Sequence, residues 1–537
     1  MSGLGGAGGI ARRAAANAWR AVSIPLRRGG LVRGRSAWLR LRLGPAQGEL
    51  RSPASLRAGA GALALVEILE ALEAAERDPL VAGVLVELET GFGGWSRRQA
   101  LRRALESLRR AGKPVVVFAE TLETGDAFVA SAATAIWIAP AGSVHLTGLR
   151  AEALFLRGLL DRLDVEVDVV RVGSHKSAAE TFTRDAMSQA HREQVDAVLD
   201  DLFEGLVAAI ARGRRLPEER VRELVDRGLF AARDAIGVGL VDATAWPDEL
   251  DERIGALASA DEERAIGLAS YHRLRVADPG WLPLLRDDPR VAYVVASGPI
   301  RRGRGLRGIA TEALRSLLRR VRDDDRIDAV VLRLDSPGGD GLASDLLWRE
   351  LLLVARRKPL VVSMGDVAAS GGYYLAVAAD SLVAEAGTLT GSIGVVGGKL
   401  NLERLYARLG VHREAVERGE RAGLFSETRG FTPAERGAIR SEMEALYETF
   451  LRRVADGRKL APEAVERVAE GRVWSGLRAL GLGLVDGLGG PLEAIREARR
   501  RAGLADSDRV RIEILPRIPR LAGLRALVGL AFGGRED

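Results

Sequence analysis

The stretch Ala235-Ile-Gly-Val-Gly-Leu-Val-Asp242 recurs as Ala479-Leu-Gly-Leu-Gly-Leu-Val-Asp486, 244 residues further along the chain. A recurrence at so long an offset indicates that a whole domain is duplicated, and not a short solenoid unit. Two other pairs of apolar segments recur at offsets of 246 and 245 residues: Val84–Leu88 with Val330–Leu334, and Lys113–Val117 with Lys358–Val362. The 537-residue chain is therefore predicted to contain two copies of one design.

Each copy has the same order of predicted elements. A strand leads into an amphipathic helix, and then come a buried apolar strand, a Gly-rich loop, a helix and a strand that begins at Lys-Pro. The first two elements are the strands Trp38–Leu43 and Val291–Ala296 and the helices Ala62–Arg77 and Ile309–Arg322. A long helix near the end of the first copy carries an apolar face: Val195, Leu199, Leu202, Leu206 and Ile210. Alternating strands and helices predict an α/β fold with parallel sheets flanked by helices.

The duplication and the changes in composition also predict domain boundaries. We place a basic Arg-rich arm at 1–36, an N-terminal repeat at 37–247 and a charged helical linker at 248–288. A C-terminal repeat at 289–499 and a tail at 500–537 complete the chain.

The composition limits the chemistry that the protein can perform. Apolar residues make up 47% and charged residues 28% of the chain, which is typical of a globular protein. The chain has no cysteine, which excludes disulfides, Cys-ligated zinc, iron–sulfur clusters and a Cys nucleophile. Its five histidines form no HExxH motif and no close pair. We predict that the protein uses neither a metal nor another cofactor.

The N-terminal region is strongly basic. Residues 1–50 hold nine arginines and a single acidic residue, Glu49, although the net charge of the chain is only +6. Such an arm suits an anionic surface, or it serves as a solubilising tail. Only Trp19 and Trp38 could stack on bases, which argues against nucleic acid. We therefore expect the arm to contact an anionic membrane surface.

No stretch of the sequence predicts a clear signal peptide or transmembrane helix. The run Ala14–Leu26 is broken by polar, charged and proline residues, so it lacks an unbroken apolar core. The uncharged stretch Ala127–Leu149 contains Pro140 and several small polar residues, and we interpret it as buried core. The apolar tail Leu521–Phe532 is expected to dock on the body or, less favoured, to lie on a membrane. The predicted location is peripheral, at a membrane surface.

The two copies differ where chemistry can occur. In the second copy, a strand runs into Asp335-Ser-Pro-Gly-Gly-Asp340, whose glycines leave backbone N–H groups accessible to a developing oxyanion. The next strand ends at Ser370, which begins a predicted helix over 370–380. A plain tight turn and a helix N-cap are the alternative interpretations of these two features. Thr124 takes the place of Ser370 in the first copy, at an offset of 246.

A candidate base shows the opposite pattern. Lysine accounts for only five of the 79 basic residues, and arginine cannot serve where an amine must lose its proton. Lys176 of the first copy aligns with Ala422 of the second, so the fold does not require an amine there. A desolvated lysine can accept the proton of a serine hydroxyl. His175 is the rival candidate for the same role.

These residues carry a resemblance to a known family. The stretches 335–339 (DSPGG), 364–374 (MGDVAASGGYY), 390–398 (TGSIGVVGG) and 173–182 (GSHKSAAETF) resemble the signal peptide peptidase A (SppA) family in its long, duplicated form. That family consists of serine peptidases with a Ser/Lys dyad, related to the Clp-protease/crotonase-like superfamily. Together with the duplication, the resemblance covers about residues 37–495.

The resemblance implies roles for individual residues. Ser370 resembles the nucleophile, Lys176 the general base, and Ser392 the hydroxyl that orients the lysine. Gly339 and Gly371 resemble the oxyanion-hole donors. The family also implies peptide substrates such as cleaved signal peptides, and a membrane-anchored homotetramer. The Arg-rich arm stands where that family has its membrane anchor.

Three other functions are weighed against this one. The loop Gly303–Gly308 fits the pattern GxGxxG, with Asp323–Asp325 as the acidic partner of a dinucleotide site, but three arginines lie in or beside that loop. An acyl-CoA hydratase or isomerase would also use loop N–H groups on a related fold, without needing Ser370 and Lys176. If the protein were a non-catalytic membrane scaffold, we would expect Ser370, Lys176 or one of the loop glycines to be missing, and all of them are present.

Overall fold

The structure, a computed structural model, describes residues 14–15, 17–19, 36–51, 63–257, 265–277, 288–305, 308–505 and 509–517. Most of the basic arm and the whole apolar tail 521–532 lie outside these residues, as do Leu306 and Arg307 of the GxGxxG loop.

The first repeat forms a seven-stranded sheet flanked by helices. The strands of this repeat are β1 (Ala37–Leu43), β2 (Val81–Leu88), β3 (Val115–Glu123), β4 (Ala135–His145), β5 (Glu166–Val172), β6 (Leu229–Ala231), β7 (Ala243–Thr244) and β8 (Ala265–Gly267). All of them except β5 belong to the seven-stranded sheet. Its helices are α1 (Leu65–Arg77), α2 (Trp95–Arg110), α3 (Thr124–Ala130), α4 (Arg157–Arg162), α5 (Glu180–Thr183), α6 (Gln189–Arg214), α7 (Glu218–Arg227), α8 (Ala232–Gly237), α9 (Leu250–Leu257) and α10 (Leu268–Tyr271). The strand order is β6-β4-β3-β2-β1-β8, and β7 adds to β4.

The second repeat forms an eight-stranded sheet of the same design, in the order β17-β15-β13-β12-β9-β19, and β14 and β18 branch from β13. The strands of this repeat are β9 (Arg290–Ser297), β10 (Ile300–Arg301), β11 (Ile309–Ala310), β12 (Ala329–Ser336), β13 (Leu360–Ala369), β14 (Ser381–Ala384), β15 (Leu389–Gly391), β16 (Val395–Asn401), β17 (Val473–Ser475), β18 (Gly487–Leu488) and β19 (Arg511–Leu515). The strands β10, β11 and β16 lie outside the eight-stranded sheet. Its helices are α11 (Thr311–Asp323), α12 (Gly341–Ala355), α13 (Gly371–Ala376), α14 (Glu403–Arg408), α15 (Pro433–Arg458), α16 (Pro462–Val468), α17 (Gly476–Gly481) and α18 (Pro491–Arg501).

The predicted α/β fold class is confirmed. The central strands pair in parallel, and their apolar runs are buried on both faces, as helices on each side of a parallel sheet require. Only the short end strands β6 and β17 pair antiparallel to their neighbours within the two main sheets.

Two segments outside the predicted repeat boundaries complete the sheets. The region 248–288 is not only helical, because it supplies β8, which pairs with β1. The region 500–537 supplies β19, which pairs with β9 along five residues. Each of these short strands is added at the edge of its sheet. The sequence did not predict them as strands because a short edge strand has too few residues to show a clear pattern of apolar side chains.

The two repeats share one packed interior. A single cluster of buried apolar residues includes Leu105 of the first repeat and Val331 and Ile495 of the second. Arg333, fully buried on β12, donates to Glu49 of the first repeat through both Nε (3.0 Å) and Nη2 (2.9 Å). Removing one partner of such a pair would leave a buried charge uncompensated, so the pair fixes how the repeats dock.

An antiparallel ribbon also joins the repeats. β5 pairs with β16 along its whole length, from Val172 opposite Val395 to Glu166 opposite Asn401. This ribbon belongs to neither main sheet. It brings the chain just after β5 next to the chain just before β16, and both of those segments belong to the candidate site.

Two observations in the described residues concern the membrane-related predictions. Among those residues, none of the helices is both long and apolar enough to span a bilayer. Of the nine arginines counted in residues 1–50, Arg40 and Arg42 lie on β1 and form ion pairs with Glu87. These two are therefore part of the folded sheet, and the other seven lie outside the described residues.

Candidate active site

Ser370 occupies a strained turn between β13 and α13. Its backbone has φ 53° and ψ −120°, a conformation that residues with a Cβ atom rarely adopt. The N–H of Ser370 donates to the carbonyl of Gly391 at 2.9 Å, which continues the pairing of β13 with β15. Its side chain makes no capping hydrogen bond to the helix, so the alternative of a simple N-cap does not hold. Strain of this kind is common where a side chain must be presented for chemistry.

Lys176 reaches this serine from the first repeat. Its Nζ lies 2.9 Å from Ser370 Oγ, and donates to the carbonyl oxygen of Ser392 at 2.8 Å and to the hydroxyl of Ser392 at 2.9 Å. The lysine is only 5% exposed. The structure therefore brings together three residues that are up to 216 positions apart in the chain.

The loop that carries Lys176 is held on both sides. The ribbon of β5 and β16 fixes its start, because Lys176 comes four residues after Val172 and Ser392 three residues before Val395. The turn at Glu470 fixes its middle: the N–H of His175 donates to the Glu470 carbonyl, and that of Ser174 to the Glu470 carboxylate, each at 2.8 Å. Both contacts join one repeat to the other.

Burial changes the acid–base behaviour of the lysine. Desolvation lowers the pKa of Lys176 from its ordinary value of 10.5 to about 8. No carboxylate lies within ion-pair distance of Nζ in the described residues to raise the pKa again. A substantial fraction of the amine is therefore neutral in mildly alkaline solution.

The Pro-Gly-Gly loop lies directly against the serine. A Cβ atom added at Gly338 would lie 2.7 Å from the amide nitrogen of Gly371 and 2.8 Å from Ser370 Cβ, and Gly338 also has φ +101°. Gly339, at φ +153°, leaves no room for a Cβ because it would collide with the Ile300 carbonyl. In the described residues, the N–H groups of Gly339 and Gly371 have no acceptor. Both remain available to a ligand beside Ser370.

The equivalent position of the first repeat has no such constellation. Thr124 donates to the carbonyl of His145 at 3.3 Å, and its expected lysine partner is replaced by the exposed Ala422. Lys113 and Lys358, which occupy equivalent positions, each donate to two backbone carbonyls. Of the five lysines, Lys176 is the one whose amine contacts a serine hydroxyl.

The side chain of His175, the rival base, makes its hydrogen bond outside the dyad. Its Nδ1 lies 2.9 Å from the hydroxyl of Ser174, the preceding residue. The geometry therefore favours Lys176 for contact with Ser370.

Comparison with known proteins gives the family. The model of peptidase family S49 matches residues 107–261 and again residues 353–505, once in each repeat. The chain belongs to peptidase family S49. It is a serine peptidase of the SppA type with a duplicated domain, as the sequence predicted, and neither a hydratase nor a non-catalytic scaffold.

Individual members of the family match over most of this chain. It is 30% identical over 491 residues to the chloroplastic serine protease SPPA of Arabidopsis thaliana, with 89% of this chain and 72% of the relative covered. It is 34% identical over 456 residues to Protease 4 of Salmonella typhi, with 82% and 72% covered. Among solved structures, a point mutant of ClpP1 from Listeria monocytogenes matches with a TM-score of 0.27 and 14% identity, over 38% of this chain and 94% of that chain.

Sequence reasoning missed two residues that support the S49 site. Glu470 holds the Lys176 loop, and Gln194 bridges the repeats by donating to Ser177 Oγ at 2.9 Å and accepting from the N–H of Val473 at 3.0 Å. The comparison of the repeats gives no signal for Glu470, because at the offset of 244 residues that aligns β6 with β17 its counterpart is Asp226, which is also acidic. Gln194 lies in the polar part of an amphipathic helix, where a bridging role leaves no pattern.

An apolar cavity of about 560 Å³ lies beside the site, between the repeats. One wall is α6, and the opposite wall is formed by the ends of β13, β15 and β17. Val367 and Leu389, which are paired on neighbouring strands, belong to this wall and lie within three residues of Ser370 and Ser392. The apolar lining of α6 consists of Val195, Val198, Leu199 and Leu202.

The GxGxxG loop has local partners instead of the features of a dinucleotide site. The N–H of Gly303 donates to Thr311 Oγ1 at 3.0 Å, and Arg304 forms an ion pair with Glu312. The acidic candidates Asp323 and Asp324 are both engaged by arginines. A ribose would have to displace these partners to bind.

Proposed function

We propose that this S49 peptidase hydrolyses peptide bonds with a dyad in which Ser370 is the nucleophile and Lys176 the general base. The observation that carries the proposal is the short contact between Nζ of Lys176 and Oγ of Ser370, 2.9 Å, in a site where burial favours the neutral amine. A base within hydrogen-bond reach of a nucleophile, itself oriented by a third group, is the arrangement that activates a hydroxyl.

Ser392 supplies the orientation. A neutral amine has two N–H groups and one lone pair. Donation to the carbonyl and to the hydroxyl of Ser392 uses both N–H groups, so the lone pair is left to accept the proton of the Ser370 hydroxyl. The same contacts keep Lys176 from adopting other rotamers.

The reaction then follows acyl transfer in two halves. Ser370 Oγ attacks the substrate carbonyl carbon as its proton moves to Lys176, and the N–H groups of Gly339 and Gly371 bind the oxyanion. The C–N bond breaks, and the leaving amine takes the proton from Lys176. Water then attacks the acyl-enzyme as Lys176 takes one of its protons, and Lys176 returns this proton to Ser370 Oγ as the bond to the acyl carbon breaks and the acid product leaves. Every step uses groups of this chain, and no cofactor enters.

We propose apolar peptides as substrates, such as the cleaved signal peptides that the family resemblance implies. The apolar cavity between α6 and the β13–β15 strands supports this class, because it adjoins the dyad and would remove apolar side chains from water. By the same resemblance, we propose a tetrameric assembly.

The test is hydrolysis of an internally quenched apolar peptide by the full chain. Wild-type protein is expected to cleave it, and Ser370→Ala to lose activity by roughly 1,000-fold or more while retaining its thermal midpoint. Ser107→Ala, at a partly buried serine of α2 whose hydroxyl donates to Glu76 at 2.8 Å, serves as a control for the loss of a hydroxyl. Activity of Ser370→Ala near the wild-type level would refute the dyad.

We also propose that the basic arm attaches the protein to anionic membranes. The support is seven arginines and no acidic residue within 1–36, each basic residue being worth on the order of 1 kcal/mol near such a surface. Sedimentation with anionic vesicles should pellet the wild type, less so at high salt, and should fail when the seven are changed to glutamine: Arg12, Arg13, Arg20, Arg27, Arg28, Arg33 and Arg35. Equal sedimentation of both would overturn this role of the arm.

A further inference from the structure

Gln194 lies on α6, between the two repeats, and is only 4% exposed. Each hydrogen-bonding group of its amide has a partner. Nε2 donates to Ser177 Oγ at 2.9 Å and to the carbonyl oxygen of His175 at 3.4 Å. Oε1 accepts from the N–H of Val473 at 3.0 Å. A backbone N–H only donates and a carbonyl oxygen only accepts, so these partners determine which way the amide points.

The amide nitrogen holds the chain on both sides of Lys176. His175 comes before the lysine and Ser177 after it, so the loop is anchored at two points around the base. Nζ of Lys176 lies 2.9 Å from Ser370 Oγ, within hydrogen-bond reach. A displacement of about 1 Å can slow a reaction by about 100-fold, so the anchoring of this loop bears directly on the rate.

The amide oxygen reaches the segment that orients the base. Val473 is on β17, where it pairs with Gly391 of β15. The next residue of that segment, Ser392, donates its N–H to the carbonyl of Arg472 at 2.7 Å. Ser392 is also the residue whose carbonyl and hydroxyl accept from the lysine amine. Gln194 therefore joins the loop that carries the base to the strand beside the residue that orients it.

The second copy lacks the same groups. The long helices α6 and α15 begin 244 residues apart, and at this offset Gln194 aligns with Ala438. At the offset of 246 that aligns Lys176 with Ala422, Ser177 aligns with Gly423. Many positions differ between the copies, but the amide, the hydroxyl and the lysine are contiguous in the structure and are all absent from the second copy. A long helix at this place in the fold therefore does not itself require the amide.

We propose that Gln194 is a positioning residue of the peptidase, which acts through Lys176 by fixing the distance between the lysine amine and the Ser370 hydroxyl. The inference rests on the proposed dyad. Loss of the amide should lower kcat, because a smaller fraction of the molecules then holds the amine within reach of the hydroxyl. It should leave KM nearly unchanged when the replacement is apolar, because the cavity that Gln194 borders then stays apolar.

Other contacts keep α6 in place when the amide is removed. Asp201, two turns further along the helix, accepts from Nε of Arg478 at 2.7 Å. At the start of the helix, the hydroxyl of Ser188 donates to Glu180 at 2.6 Å. Both contacts are independent of Gln194, so we expect Gln194→Met, which keeps the length of the side chain, to fold.

The first measurement is hydrolysis of an internally quenched apolar peptide by the full chain. Gln194→Met should lower kcat by about tenfold or more and change KM by less than about twofold. Ser177→Ala, which removes the nearer acceptor of the amide, should lower kcat by a smaller factor. Gln189→Met, at an exposed glutamine of the same helix, is the matched control and should keep the wild-type kcat. A wild-type kcat in Gln194→Met, or a change confined to KM, would overturn the proposal.

The second measurement asks whether the effect passes through the lysine. The rate at which a fluorophosphonate labels Ser370 is compared with and without Gln194→Met, in the wild type and in Lys176→Arg. Groups that act as a unit are not additive, so Gln194→Met should slow labelling by about tenfold in the wild type and by less than about twofold in Lys176→Arg. An equal loss in both backgrounds would mean general damage to the site and would overturn the role of Gln194.

Two further outcomes are distinguishable from these. If Gln194→Met does not fold, Ser177→Ala is compared in the same two backgrounds, where the same pattern of losses is expected and equal losses would again overturn the proposal. If Lys176→Arg alone is labelled as fast as the wild type, the dyad itself is refuted, and the positioning role with it. That result is seen before Gln194 is changed, so a failure of the dyad is distinct from a failure of this inference.

Discussion

Lys176 and Ser392 are joined by two hydrogen bonds from one amine, to the carbonyl oxygen at 2.8 Å and to the hydroxyl oxygen at 2.9 Å. Ser392 itself adopts φ 50°, so the backbone is strained at the residue that holds the lysine as well as at Ser370. The two strained serines face the same amine from two sides. A change at Ser392 can therefore test whether the position of the Lys176 amine matters for activity, as well as its presence.

The first prediction concerns Ser392. Ser392→Ala removes one of the two acceptors of the amine and lets Lys176 rotate away from Ser370. We expect kcat to fall by about 10- to 100-fold with little change in KM, the effect typical of a misplaced catalytic group. Thr390→Ser, on the neighbouring strand β15, retains its hydroxyl and should keep near wild-type kcat. A change confined to KM would mean that Ser392 serves substrate binding instead.

The second prediction separates the two candidate bases. Lys176→Arg keeps a positive charge but cannot accept a proton at working pH, so activity should fall by about 100-fold or more. His175→Ala should retain most activity, because the imidazole contacts Ser174 and not Ser370. The rate of hydrolysis of the same apolar peptide is measured for both variants. An active Lys176→Arg together with an inactive His175→Ala would transfer the role of base to the histidine.

The third prediction is the pH dependence. Only the neutral amine can accept the proton, and burial lowers the pKa of Lys176 to about 8. We therefore expect kcat/KM to rise with pH and to level off above a midpoint near pH 8. A midpoint near 10.5, the ordinary lysine value, would show that the amine is solvated in the working enzyme.

The same pKa can be read from stability, independently of catalysis. The folded pKa lies below the unfolded one, so between about pH 8 and pH 10.5 the unfolded state binds more protons. The free energy of unfolding of the wild type should therefore rise with pH across this window relative to Lys176→Met, by about 3 kcal/mol in total. A pH-independent difference between the two proteins would argue against the lowered pKa.

The fourth prediction tests the apolar cavity. Leu199→Asp places a carboxylate in the wall of α6. We expect kcat/KM for peptides with large apolar side chains to fall by about tenfold or more, because the cavity would no longer favour apolar groups. Arg192→Asp, an exposed change earlier on the same helix, is the matched control. Equal losses for apolar and polar peptides would indicate a general defect of folding.

Much of the architecture could be predicted from the sequence because the duplication is strong and its differences carry chemistry. The apolar runs at β2 and β12 mark the buried strands, and the loss of Ser370 and Lys176 from opposite copies identifies the candidate dyad. The first inference needs only an alignment of the chain with itself. The second also needed the family resemblance, because the comparison of the copies left His175 open as the base.

The elements that the sequence did not predict are those whose partners lie far away in the chain. β16 contains two adjacent glycines and no alternating pattern, and it forms a strand because β5 lies beside it. The sequence predicts one apolar face along α6 and does not say what covers it. Leu206 and Ile210 are buried, but Val195, Leu199 and Leu202 line the open cavity. Periodicity marks an apolar face and cannot distinguish a packed neighbour from a cleft.

The most direct test of the central claim is covalent labelling of the nucleophile. Full-length protein is treated with a fluorophosphonate at pH 9, where most of the lysine is neutral, and the labelled peptide is identified by mass spectrometry. The account predicts one label per chain, on Ser370, with labelling abolished in Ser370→Ala and slowed about 100-fold or more in Lys176→Arg. A label on any other serine, or undiminished labelling and peptide hydrolysis in Ser370→Ala, would contradict it.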